Sequence, residues 1–292
     1  MKNNLSFPFL FVLFCSLISC RELPPLIDFG VQLRDTTYVT GAIPAQEKTK
    51  IFIEDLTGVR CNNCPKAAER LHNIIVANPG NVIGVAVYSY SISTLTAPWE
   101  NFDTLNTIDA DVIFNTIYGS PSAIPAGGVN RRVFPGETST NVSSTKWSGY
   151  ADLVKIQESP IVLSAKVMNY DDVTRIAKIQ VKVIFAKAYK EALDLSVFLT
   201  ESKILSKQKL EDGTEKDDYE HNHVLRRSLT SFPLKTNAQT IGNYEAGRVF
   251  EKDFEVTLKS KWKKQNCSFA IIVNHIDNSS KEVVQAFELP LQ

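Results

Sequence analysis

Two cysteines three positions apart, Cys61-Asn62-Asn63-Cys64, constrain this chain more than any other feature. They stand where an apolar strand-like run, Lys50 to Gly58, gives way to a helix-like run, Pro65 to Val76. One helical turn brings the two Cα atoms close enough for a disulfide to form and break without moving the backbone. The unsatisfied N–H groups and dipole of a helix start favour a thiolate on Cys61, the outermost sulfur, and Arg60 and Lys66 add positive charge nearby. Zinc would need two further ligands at short spacing, and no second CxxC or CxxH follows. Covalent haem attachment would need His directly after the second cysteine, where Pro65 stands. Two readings stay open: a redox-active dithiol, or a static disulfide at the head of a helix.

The N-terminus reads as an export signal. Lys2 supplies a short positive region and Leu5 to Ile18 an apolar segment too short to span a membrane. Residues 1–19 are therefore expected to be removed. The segment ends in Leu17-Ile18-Ser19-Cys20, which resembles a bacterial lipobox, so Cys20 is expected to become the first mature residue and to carry the lipid. Arg21, rather than Asp, follows it, which by the sorting rule for such lipoproteins points to the outer membrane. Of five cysteines, Cys15 leaves with the signal and Cys20 is lipidated. Cys61, Cys64 and Cys267 remain in an exported setting where disulfides persist, and Cys267, in a strand-like run, reads as a buried thiol.

Thirty-two basic and thirty-two acidic residues give a net charge of zero. With no basic stripe, nucleic acid is not an expected partner. Residues 20–47 read as a lipidated, proline-containing tether, with Thr37 to Thr40 able to add an edge strand. From 48 to 158 the order is strand, CxxC, helix, then the apolar strand Asn81 to Tyr88. A polar stretch follows, with helical spacing over Thr107 to Tyr118, then a proline-led short strand, Ser122 to Asn130, and a closing helix, Lys146 to Gln157. Leu71, Ile74, Ile75 and Val76 are expected to form the buried side of the first helix. This order matches a thioredoxin fold with a helical insertion. In that fold an Xaa-Pro bond packs in cis against the cysteines, and Ile124-Pro125 stands in its place. From 159 to 292 about seven alternating runs recur between turn signals, suggesting an antiparallel β-sandwich.

The lipobox, Glu54-Asp-Leu-Thr-Gly-Val-Arg-Cys61-Asn-Asn-Cys64-Pro65, the Ile-Pro-Ala-Gly-Gly-Val-Asn run and Asp218-Tyr-Glu-His-Asn-His-Val-Leu-Arg226 together resemble the outer membrane protein 28 family of Gram-negative lipoproteins. The resemblance extends over nearly the whole mature chain. It implies an α/β plus all-β chain: an N-terminal thioredoxin-like domain and a C-terminal immunoglobulin-like sandwich. Redox and surface-adhesion roles are both proposed for that family.

Asp55 stands six residues before Cys61, where thioredoxins carry a buried carboxylate that deprotonates the second cysteine; strand alternation could instead turn Glu54 inward. The first hypothesis is a lipid-anchored thiol–disulfide oxidoreductase. In it Cys61 attacks, Cys64 resolves, Asp55 accepts the proton and Pro125 shapes the substrate groove. Its partners would be thiols or disulfides of exported proteins, with outer-membrane lipid held through Cys20. The second is a non-catalytic binding or adhesion protein that uses the fold as a scaffold and engages a surface ligand through its C-terminal half. His221 and His223 alternate onto one strand face, but no third ligand accompanies them. Neither a metal nor a cofactor is expected.

Overall fold

A computed structural model describes residues 33–234, 242–276 and 280–292. Residues 1–32, which include the expected signal peptide, the expected lipidation position Cys20 and the first part of the expected tether, lie outside the described residues.

The described chain begins with β1 (Asp35–Val39) and β2 (Glu47–Lys48), then the central unit β3 (Ile51–Thr57), α1 (Cys64–Ala77) and β4 (Val82–Tyr88). β3 and β4 are buried at every position, as strands covered on both faces must be; β4 is an apolar run, and β3 takes Glu54, Asp55 and Thr57 into the interior with its apolar residues. They pair in parallel from Ile51↔Val82 to Thr57↔Tyr88. α1 carries Pro65 in its first turn, where no backbone N–H is needed, and packs Ala67, Leu71 and Ile74 against the sheet. Val76, expected on the buried side, is 63% exposed. At 100° per residue it has rotated off the stripe that Leu71 and Ile74 define.

Next come α2 (Ser93–Thr96) and α3 (Ile108–Val112), the latter capped by Thr107, whose Oγ1 accepts from the Ala110 N–H at 3.0 Å. α3 runs on into a single π-helical turn, 113–117, so the helical spacing over Thr107 to Tyr118 resolves into two helix types. β5 (Ala126–Val129) pairs antiparallel with β3. Gly127, opposite Asp55, has φ +146°, and a Cβ there would lie 2.0 Å from the Glu54 carbonyl oxygen, so only glycine lets β5 approach β3 this closely. α4 (Trp147–Lys155) buries Trp147, Ala151 and Val154 beside α1.

The remaining strands are β6 (Glu158–Ser159), β7 (Ile161–Asp171), β8 (Ile176–Phe185), β9 (Leu193–Glu201), β10 (Ile204–Lys209), β11 (Glu215–His221), β12 (Val224–Pro233), β13 (Arg248–Thr257), β14 (Cys267–His275) and β15 (Val283–Pro290). Where about seven runs were expected over 159–292, β9 and β10 are separate strands, as are β11 and β12, and β10 and β11 fold back as a hairpin. β1, β13, β8 and β7 form one sheet, so the tether does add an edge strand. A larger sheet has the order β15-β14-β9-β12-β4-β3-β5. Strands from both halves of the chain thus share one sheet, joined where Val224 of β12 meets Ala86 of β4 and the Ala86 N–H donates to the His223 carbonyl at 2.8 Å.

This sheet curls until its edges meet. The Val283 N–H donates to the Asn130 carbonyl at 2.8 Å, and the Asn130 side-chain amide donates to the Val283 carbonyl at 3.3 Å. Inside the curl, residues from all seven strands pack around Ile113, Phe114 and Tyr118 in one apolar cluster that also takes in Cys61 and Cys64. The architecture is a mixed α/β unit continuous with a two-sheet β region.

Candidate functional site

The CxxC loop emerges from β3 at Gly58, where a Cβ would meet the Leu95 carbonyl oxygen at 2.4 Å. Cys61 and Cys64 form a disulfide with an S–S distance of 2.08 Å and Cα atoms 5.4 Å apart. The helix proper starts at Cys64, with Asn63 as its N-cap residue. The Ile124–Pro125 peptide is cis, and the Ile124 carbonyl oxygen lies 3.6 Å from the Cys61 Sγ. That contact can become an S–H···O hydrogen bond once Cys61 is a thiol.

Cys61 was expected to be the more exposed sulfur, but the two residues are 2% and 1% exposed. Two covers account for this. On one side the insertion grips the loop: the Arg60 N–H donates to the Leu95 carbonyl at 2.8 Å, and its guanidinium donates to the carbonyls of Ala97 and Pro98 while stacking 3.8 Å from the Trp99 ring. On the other side lies the β10–β11 hairpin. Gln208 Nε2 donates to the Cys61 carbonyl at 3.0 Å and to the Gly58 carbonyl at 3.3 Å, and the Lys209 N–H donates to the Val59 carbonyl at 2.9 Å. Lys66 pairs with Glu211 of the same hairpin. Both cations expected to favour a Cys61 thiolate are therefore already engaged elsewhere.

Glu54 and Asp55 are both buried, on opposite faces of β3, and their surroundings differ sharply. Glu54 receives a two-pronged ion pair from Arg131 at 2.6 and 2.9 Å and a hydrogen bond from the Tyr118 hydroxyl at 2.8 Å. Asp55 is 1% exposed, its Oδ1 makes no hydrogen bond to protein, and burial pushes its carboxyl up to about 8. It lies at the floor of a cavity of about 210 Å³ that it shares with Cys64. The alternation question at Glu54 and Asp55 is thus answered by their partners: Glu54 is locked in an ion pair, and Asp55 is unpaired beside the second cysteine.

The same cavity is walled by residues from the far half of the chain. His221 is 2% exposed; its Nδ1 lies 2.8 Å from the Tyr88 hydroxyl and its Nε2 has no protein partner. Burial holds both His221 and His223 down to about 4. His223 sits at the turn before β12 with φ +56°, so it does not continue a strand face with His221. Among the described residues no group of three or more His, Cys, Asp or Glu side chains is placed to hold a metal ion. Cys267 is a buried free thiol, pushed up to about 12 by burial. Arg131, Gln208 and Tyr88 carry no local sequence signal of a role.

No curated protein matches the chain. Among solved structures, HBP35 of Porphyromonas gingivalis superposes with a TM-score of 0.60 at 14% identity, over 85% of this chain and 76% of that one. A protein of Agrobacterium tumefaciens, AGR_C_4864, superposes with a TM-score of 0.52 at 17% identity, over 85% of this chain and 97% of that one. At such identities the likeness is one of fold. The description "Outer membrane protein Omp28" matches residues 113–289, and since that is more than half of the sequence, the chain belongs to the Omp28 family of outer membrane proteins.

Proposed function

We propose that this chain is a thiol–disulfide oxidoreductase of the cell envelope, with a thioredoxin-like N-terminal half and an immunoglobulin-like C-terminal half, held at the outer membrane by lipid on Cys20. The observation that carries this reading is Asp55: a buried carboxyl group whose Oδ1 makes no hydrogen bond to protein, in one cavity with Cys64, beside a disulfide whose other sulfur faces the Ile124 carbonyl. Burying a polar group without a partner costs about 1–3 kcal/mol, and that cost is consistent with a group kept for proton transfer.

In the oxidising direction a substrate thiolate attacks the Cys61 Sγ. The Cys61–Cys64 bond breaks, and Cys64 leaves as a thiolate that takes a proton from the Asp55 carboxyl. A second substrate thiolate then attacks the first substrate sulfur and releases Cys61. The substrate departs as a disulfide and the protein keeps two electrons as a dithiol. The reducing direction is the reverse, with Asp55 accepting the Cys64 proton before Cys64 attacks the mixed disulfide. Either direction requires the insertion or the β10–β11 hairpin to move aside.

The burial of both cysteines favours the second reading, a static disulfide in a scaffold that binds a surface ligand. The reduction potential of the Cys61–Cys64 pair separates the two. A value above about −300 mV, together with mixed disulfides trapped by Cys64→Ser through Cys61, supports the oxidoreductase. A lower value with no trapped partner supports the scaffold. Cys20→Ser should release the protein from membranes, and unchanged membrane association would remove the lipid anchor from the proposal.

A further inference from the structure

We propose that His221, held in place by Tyr88, is a positioning residue that orders the water through which Asp55 exchanges its proton with bulk solvent. This rests on the oxidoreductase reading for its purpose, though not for its geometry. Asp55 gives or takes one proton in each disulfide exchange, and that proton must be replaced or removed before the next. At 1% exposure the carboxyl has no direct contact with bulk water, and its way out is the cavity.

The cavity suits this task. Its floor is Asp55 and Cys64, and its mouth carries the exposed side chains of Glu69, His72 and Glu220. A buried water needs roughly 10–15 Å³ of such volume and two to four polar partners, so about 210 Å³ has room for several. Two buried polar atoms that make no hydrogen bond to protein, Asp55 Oδ1 and His221 Nε2, belong to side chains lining this one space. The imidazole cannot turn away, because its Nδ1 is tied to the Tyr88 hydroxyl at 2.8 Å and its ring packs edge-on against both Tyr88 and Tyr219. In the tautomer in which the phenol donates to Nδ1, Nε2 carries the hydrogen and can offer it to the cavity, with the Ser206 backbone close to the same ring. A water so held can accept the Asp55 proton and pass it toward the mouth. His221 stays neutral, since burial keeps it near 4.

The titratable groups sharing the cavity with Asp55 come from every element around it. They are Glu69 and His72 of α1, Tyr88 of β4, Tyr219, Glu220 and His221 of β11, and His223 before β12. Arg226 of β12 acts on His221 from outside it, lowering its affinity for a proton. Burial raises Tyr88 and Tyr219, so neither phenol competes for the proton near neutral pH.

The test compares His221→Phe, His221→Gln and Tyr88→Phe in the full mature chain. Two readouts are followed: the pH profile of disulfide opening by a small dithiol, and the titration of the Asp55 carboxyl by its infrared C=O stretch, identified by its loss in Asp55→Asn. We expect His221→Phe to slow opening about tenfold at pH 7, the effect of roughly one hydrogen bond, and to move both the profile and the carboxyl titration up by about one unit. His221→Gln, which keeps a donor, should stay within about threefold of wild type, and Tyr88→Phe should fall between. If His221→Phe folds and leaves both the titration and the profile unmoved, the inference is overturned while the oxidoreductase reading stands. If His221→Phe does not fold, unmoved readouts in Tyr88→Phe overturn it equally. If wild type exchanges with no protein thiol yet the Asp55 titration moves in the variants, the inference holds and the oxidoreductase reading fails.

Discussion

Asp55→Asn tests the electrostatics of the site without touching either sulfur. Burial raises the carboxyl from 3.8 to about 8. Between those values the folded chain holds a proton on Asp55 that the unfolded chain has lost. Folding stability therefore falls as pH rises from about 4 to about 8 and levels off above that. At about 1.4 kcal/mol per unit, the accumulated cost is roughly 4 kcal/mol at pH 7 and between 5 and 6 kcal/mol beyond pH 8. Asn is neutral at every pH and bears none of this. Urea unfolding of the oxidised protein, wild type against Asp55→Asn, should show stabilities that differ by a small constant near pH 4 and then diverge in favour of the variant. The gap should reach roughly 4 kcal/mol at pH 7. The same substitution should slow disulfide exchange, because Cys64 loses its proton partner. A stability difference that stays flat from pH 4 to pH 8 would mean that Asp55 ionises like an exposed carboxylate. The proton-acceptor role would then have no physical basis.

The hairpin cover is tested by Gln208→Ala, which removes the bonds from Nε2 to the Cys61 and Gly58 carbonyls. Reduction by dithiothreitol should accelerate about tenfold, as expected for the loss of one to two buried hydrogen bonds. An unchanged rate would assign the burial of Cys61 to the insertion alone. Arg131→Met leaves the Glu54 carboxyl buried without its ion-pair partner and should destabilise the fold by about 3–5 kcal/mol, whereas Glu54→Gln combined with Arg131→Met should recover most of that. A loss below about 1 kcal/mol in the single variant would show that the pair is not holding β5 and its loop.

The central strand–helix–strand unit could be read from residues because its signals are local. Ile51 to Thr57 and Val82 to Tyr88 are apolar runs apart from Glu54, Asp55 and Thr57, and Pro65 marks where a helix can begin. The alternating strands β7, β8, β13, β14 and β15 followed from period-two patterning for the same reason. What escaped was non-local. β10 and β11 read Ile-Leu-Ser-Lys-Gln-Lys and Glu-Lys-Asp-Asp-Tyr-Glu-His, too polar to declare a strand pair, because their work is to cover a loop rather than to fill a core. The helix-start argument placed Cys61 in solvent because it considered only neighbours along the chain, whereas burial came from Leu95, Trp99 and Gln208. Asp55 could be nominated from its distance to Cys61, yet nothing in the sequence said that Tyr88 and His221 would share its cavity.

The sheet that joins the two halves sets an order on how this protein can be made. A chain delivered across a membrane N-terminus first presents β3, β4 and β5 long before Val224 is available to pair with Ala86, or Val283 to close on Asn130. Until then the far side of β4 is an open strand edge, one able to recruit another chain. The apolar cluster inside the curl likewise lacks the side chains of β9, β12, β14 and β15. The N-terminal half is thus obliged to wait for the C-terminal one. A translocation stall anywhere between the CxxC loop and β15 should yield an aggregating fragment rather than a working half-protein. The cysteines also cross early and sit exposed during that interval, so the disulfide can form before the hairpin and insertion close over it.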